Sequence, residues 1–290
     1  MEETTFAFVT PDGVEVAGWR WDADRPPRAV VQIAHGLGEH ALRYRPVAEE
    51  LVARGYVVYA NDHRGHGRTA GGPERYGQLG PAGWAGLVDD LATVTATARR
   101  DHPGLPLVLV GHSMGSMALQ GYLLDRSADI DAAVLSGTTA VDVVAALIDT
   151  SQPADLTMFN AAFEPARTPF DWLSRDPAQV DAYVADPACG FGLEISANAE
   201  MLGAGTELSD PARLAAIRAT LPIYLFSGEA DPLAGGGALV EMVADRYRAA
   251  GVKDVTVKIY PGARHETLNE TNRDEVVADL LAWLDRVTGG

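Results

Sequence analysis

The sequence predicts an α/β protein: a mostly parallel central sheet flanked by helices, broken by one helical insertion. Three observations carry this. Short apolar runs alternate with helix-period segments at both ends of the chain, the pattern of parallel strands covered on both faces. One such run leads through Gly111-His112-Ser113-Met114-Gly115 directly into a helical segment. From about Thr138 to Thr220 the alternation stops.

In order, Thr5–Val9 and Val14–Trp21 read as strands joined by Pro11-Asp12-Gly13, a hairpin signal. Val30–Ala34 is a short buried strand. Tyr44–Arg54 is an amphipathic helix that Gly55 ends, and Tyr56–Ala60 is the next strand. Trp84–Arg100 is helical by period and stops before Pro103. Leu105–Val110, the Met114–Asp125 helix and strand Ala132–Leu135 follow. The next stretch holds short helical pieces cut by Pro153, Pro165, Pro169, Pro177, Pro187 and Pro211. Alternation resumes with strand Ile223–Phe226, helix Ala238–Ala250, strand Val255–Tyr260 and helix Glu275–Val287. The expected division is a core of residues 1–137 and 221–290 with a helical cap at 138–220.

At 290 residues, 47% hydrophobic and 22% charged, the chain suits one large globular domain. No apolar run approaches the roughly 18 to 20 residues of a membrane span. Met1-Glu2-Glu3-Thr4-Thr5 lacks the character of a secretory signal. The single cysteine, Cys189, excludes an intrachain disulfide, so the expected compartment is the cytoplasm. A net charge of −17 argues against nucleic acid, which needs clustered Lys and Arg, and against anionic membrane surfaces. A neutral, partly apolar small molecule fits this charge.

Strand, sharp turn and helix are the setting in which Gly-x-Ser-x-Gly becomes a nucleophile elbow, with the serine hydroxyl exposed above the sheet. Such a hydroxyl needs a base within reach. In this arrangement the order is Ser, acid, His. Of seven histidines only His265 follows Ser113, in the loop Pro261-Gly262-Ala263-Arg264-His265 at a strand's carboxyl end. The acid belongs one strand earlier, in Ser227-Gly228-Glu229-Ala230-Asp231-Pro232. Asp231 is preferred because the following proline holds it out of helical geometry; Glu229 is second and Asp142 third. The oxyanion calls for two preplaced donors. Met114 N–H supplies one. Leu37 N–H, in His35-Gly36-Leu37-Gly38-Glu39-His40, is the candidate for the other.

These motifs, with Arg43-Tyr44, Asp62-His63-Arg64-Gly65-His66-Gly67-Arg68, Gly228-Glu229-Ala230-Asp231 and Pro261 to Glu266, resemble the monoacylglycerol lipase and lysophospholipase-like branch of the α/β-hydrolase fold. The resemblance implies Ser113 as nucleophile, Asp231 as acid, His265 as base, and Leu37 and Met114 as oxyanion donors. It implies Glu39 and Arg43 beside a head-group pocket, and no cofactor. Ser116 stands where a third glycine is common, which would crowd the elbow. Phe159 and Phe163 are the expected substrate contacts of the insertion, whose other aromatics (Phe170, Trp172, Tyr183, Phe191) mostly form its own small core.

His63 and His66, with Asp62 beside them, show no evident third converging ligand of the three or four a zinc site usually needs, and read as a structural loop. Cys189 reads as a small semi-buried residue. The expected activity is cleavage of carboxylic esters with short to medium acyl chains, monoacylglycerols among them. The same fold and triad also serve thioesterases, perhydrolases and carbon–carbon bond hydrolases.

Overall fold

The computed structural model describes residues 1–23 and 25–289. Eight strands form one sheet: β1 (Glu2–Val9), β2 (Glu15–Asp22), β3 (Ala29–Ala34), β4 (Tyr56–Asn61), β5 (Leu107–His112), β6 (Ala132–Ser136), β7 (Ile223–Gly228) and β8 (Val255–Tyr260). Their order is β1-β2-β4-β3-β5-β6-β7-β8. β2 runs antiparallel to both β1 and β4, and every other pair is parallel. The continuous apolar runs are the strands buried along their whole length, β3 to β7, whereas β1 alternates at the sheet's edge.

The helices are α1 (Arg45–Ala53), α2 (Gly67–Ala70), α3 (Gly83–Asp101), α4 (Met114–Arg126), α5 (Val141–Ala145), α6 (Pro177–Ala185), α7 (Ile195–Gly203), α8 (Gly205–Leu208), α9 (Pro211–Leu214), α10 (Ala238–Ala249) and α11 (Arg273–Thr288). One face of the sheet packs against α3, α4 and α10 through side chains such as Leu87, Leu91, Leu119 and Val243. The other packs against α1 and α11 through Leu51, Val52, Leu280 and Leu284. The chain passes from β3 to β4 on one side and then to β5 on the other. The carboxyl ends of β3 and β5 therefore flank the switch in direction, where open α/β sheets place their ligands.

Between β6 and β7 the described residues contain no strand. Asp155, Asp176 and Asp210 each accept a hydrogen bond from a backbone N–H of the turn they start. Pro177 and Pro211 follow two of these caps, where a proline's missing N–H costs nothing. Leu156, Trp172, Leu173 and Tyr183 form a separate small core, against which Leu37, Phe163 and Phe170 pack.

Several boundaries differ from expectation by a few residues, two of them on the way to the site. β5 begins at Leu107 because Leu105 belongs to a turn, its N–H bonded to His102 O at 3.3 Å. The expected helix from Tyr44 is a 3-10 turn, Ala41–Tyr44, followed by α1 with Pro46 in its first turn. Among the described residues no helix is long and apolar enough to cross a membrane.

Candidate active site

Ser113 sits between β5 and α4 with φ 50° and ψ −120°, the one non-glycine residue with positive φ among those described. A Cβ on Gly115 would lie 2.3 Å from Ala34 O, and one on Gly111 would lie 2.4 Å from Gly115 O. The crossing of β5 and α4 over the end of β3 leaves no room for either side chain. Ser116, fully buried, fits by donating its hydroxyl to Ser113 O at 2.6 Å.

His265 and Asp231 are both 2% exposed, and His265 Nδ1 lies 2.9 Å from Asp231 Oδ2. Asp231 also accepts from Ser227 Oγ at 2.7 Å and from Leu233 N–H at 2.9 Å. Burial alone would push this carboxyl up; the adjoining imidazole and these donors outweigh it, and it titrates below its ordinary value. Burial likewise opposes charge on His265, but Asp231 prevails and raises the imidazole above its ordinary range. The other acids are engaged elsewhere. Glu229 accepts from Gly262 N–H at 3.0 Å, and Asp142 forms two bonds of 2.8 Å to Arg246.

Ser113 and His265 line one cavity. No hydrogen bond joins the two side chains; His265 is bonded to Asp231 instead. Nδ1 is directed at Asp231, and no described residue bonds the ring's Nε2. Trp172 packs on the imidazole with ring centroids 4.8 Å apart. His112 lies at the same centroid distance on His265. Burial, helped by His265, lowers His112 to about 4, so it remains neutral beside the pair.

Leu37 and Met114 line the same cavity, and neither backbone N–H is hydrogen-bonded among the described residues. The Leu37 loop is fixed by Glu39, whose Oε1 accepts from Gly36 N–H at 2.6 Å and from Tyr44 OH at 2.7 Å. Arg43 bridges Glu39 and Glu266, contacting Glu39 Oε2 at 2.6 Å and Glu266 at 2.6 and 2.8 Å. Burial would raise Glu266, but Arg43 overrides it and holds the carboxyl at about 2. Glu39 and Glu266 border the cavity, whereas Arg43 lies behind them. Phe159 lines the cavity too. Phe163 does not: its ring lies under the Arg264 guanidinium, 4.4 Å from the ring centre.

The remaining wall is mostly apolar, including Met117, Val144, Ile148 and Met201, with Asn198 an amide among them. Sequence patterns gave no role to Glu266 or Asn198, and placed Trp172 in the insertion's own core, where it also lines the cavity. Glu266 stands beside His265, but its partner is 223 residues away in the chain. Asp62 accepts from Ala41 N–H and Arg68 N–H, and it does not converge with His63 and His66 on a common point.

A mostly parallel sheet of this order, with a strained serine after β5 and a buried acid–histidine pair on the loops after β7 and β8, defines an α/β-hydrolase. A family model described as serine aminopeptidase, S33 (Hydrolase_4), matches residues 25–272. The chain is 35% identical to a monoacylglycerol lipase of Mycolicibacterium smegmatis, over 96% of this chain and 95% of that protein. It is 30% identical to the human monoglyceride lipase, over 97% and 90%. Among solved structures it resembles a highly thermostable carboxyl esterase from Bacillus coagulans in complex with glycerol, with TM-score 0.90, 28% identity and 99% of each chain covered. The chain belongs to this S33 family, in its monoacylglycerol lipase-like branch, and is a carboxylic ester hydrolase.

Proposed function

We propose that the chain hydrolyses monoacylglycerols and related esters with short to medium acyl chains, through a Ser113–His265–Asp231 triad. The observation that carries this is the pairing of a strained Ser113 with a buried, Asp231-bound His265 on one largely apolar cavity. Ser113 Oγ adds to the ester carbonyl as His265 Nε2 takes its proton. The N–H groups of Leu37 and Met114 receive the oxyanion, a contribution on the order of 10² in rate for each such donor. Collapse breaks the bond to the alcohol, which leaves with the proton from His265. Water then adds to the acyl-enzyme, giving its proton to His265, and the carboxylic acid departs as Ser113 regains a proton.

In this reading residues 138–220 act as a cap over a core of 1–137 and 221–290. Phe159 contacts the acyl chain, and Phe163 supports the cap from behind. The Glu39 and Glu266 carboxylates accept hydrogen bonds from the glycerol hydroxyls, with Arg43 holding both in place. Relatives named as monoacylglycerol lipases support the substrate class. A single half-buried cysteine suits a cytoplasmic location.

The test is a rate series over p-nitrophenyl esters and monoacylglycerols of graded chain length, with acyl thioesters and β-diketones alongside. The expected result is kcat/KM highest for a monoacylglycerol of short or medium chain. A thioester or β-diketone turned over faster than every ester would overturn the assignment.

A further inference from the structure

Away from Ser113 and His265, a further cluster of side chains joins two distant parts of the chain. His40 closes the loop after β3, and Asp186 and Cys189 follow α6. Their ligand-type atoms, an imidazole nitrogen, a carboxylate oxygen and a thiol sulfur, all lie within 4.8 Å of one another. We propose that His40, Asp186 and Cys189 form a site for a divalent transition-metal ion of the Zn²⁺ class, tying the loop after β3 to the chain between β6 and β7.

The donor set is the one Zn²⁺ favours: nitrogen, oxygen and sulfur, with a water as fourth ligand. Bond lengths of about 2.0–2.3 Å place tetrahedral ligands roughly 3.3–3.8 Å apart. The observed spacing requires only small side-chain adjustments. His40 Nε2 already faces Asp186 Oδ2 at 2.9 Å. Asp186 Oδ1 is held by Ala188 N–H at 2.8 Å, which aims Oδ2 at the histidine. Side-chain exposures of 14% for His40 and 32% for Asp186 leave the cluster accessible to an ion from solvent.

The two segments are joined independently of any ion. Gly190 N–H and Tyr183 OH both donate to Gly38 O, at 2.9 and 2.8 Å. Little chain ordering therefore remains for the ion to impose. The charged groups acting on the thiol are the carboxylates of Glu39, Asp186 and Glu266 and the Arg43 guanidinium, a net negative field. Burial pushes the thiol up, so the ion has to displace its proton. The sulfur then bonds the metal as thiolate and the proton passes to buffer, with no change of oxidation state.

The test uses full-length protein stripped of metal, titrated with Co²⁺ by absorption and with Zn²⁺ by calorimetry in two buffers of different ionisation heat. The expected result is one ion per chain with Kd below about 10 μM. A sulfur-to-cobalt charge-transfer band and release of close to one proton per ion should accompany it. Cys189→Ser removes the band, and Cys189→Ser, His40→Gln and Asp186→Asn each weaken Zn²⁺ binding by about tenfold or more. Without any substitution, saturating Zn²⁺ slows iodoacetamide alkylation of Cys189 about tenfold or more. No saturable binding below about 1 mM, binding by Cys189→Ser equal to wild type, or an unchanged alkylation rate would each overturn the proposal.

Discussion

Replacing Ser113 by glycine, and separately by alanine, measures the strain stored at the elbow. At φ 50° and ψ −120° an L-residue is outside its comfortable backbone regions, at a cost on the order of 1–3 kcal/mol. Glycine relieves that strain but carries more unfolded-state entropy, about 0.5–1 kcal/mol relative to alanine. The side chain caps nothing in α4, so no lost hydrogen bond complicates the comparison. Ser113→Gly is therefore expected to be more stable than Ser113→Ala by roughly 0.5–2 kcal/mol. With an unfolding entropy of about 2.1 cal/mol/K per residue over 290 residues, this is a Tm difference of about 1–3 °C. Urea and thermal unfolding of both variants provide the assay. An alanine variant more stable than the glycine variant would refute the strained elbow.

Further outcomes follow from the same site. Gly115→Ala drives a methyl group into Ala34 O and His35 O, and should cost about 1–3 kcal/mol in urea unfolding and lower kcat about tenfold or more by shifting the Leu37 loop. Because Asp231 raises His265 while the base must be neutral, kcat/KM should climb with pH along a limb centred above the ordinary 6.5; Asp231→Asn should move that limb lower and cut kcat by on the order of 10⁴. In stability, the raised His265 contributes fully below its ordinary value and loses that contribution as pH rises through its folded value. The lowered Asp231 contributes above its ordinary value and loses that as pH falls through its folded one; unfolding curves across both ranges check the signs. Glu266→Gln leaves Arg43 with one carboxylate partner in a buried setting and should cost about 3 kcal/mol in unfolding, with a rise in KM for monoacylglycerols.

Features set by local chemistry could be read from the chain alone. Gly111 and Gly115 around Ser113 announced a turn that only close packing requires, and unbroken apolar runs announced the buried strands. His265 could be nominated as the base because the expected order Ser, acid, His left no other histidine, and the structure pairs it with Asp231. The proline after Asp231 separated it from Glu229. What could not be read depends on long-range closure. Arg43 meets Glu266 across 223 residues and His40 meets Asp186 across 146, and neither pairing leaves a periodic trace. β7 extends past Phe226 through Ser227, a polar residue that is fully buried because its hydroxyl is spent on Asp231. Phe159 and Phe163 belong to one 3-10 segment, yet only the first reaches the cavity, since Arg264 covers the second.

Covalent labelling tests the nucleophile most directly. Wild type and Ser113→Ala are treated with a fluorophosphonate, and the modified peptide is located by mass spectrometry. One adduct on Ser113 in the wild type, absent from the alanine variant, is the predicted result. A wild type that stays unlabelled, or an adduct on a different residue that persists in Ser113→Ala, would contradict the account.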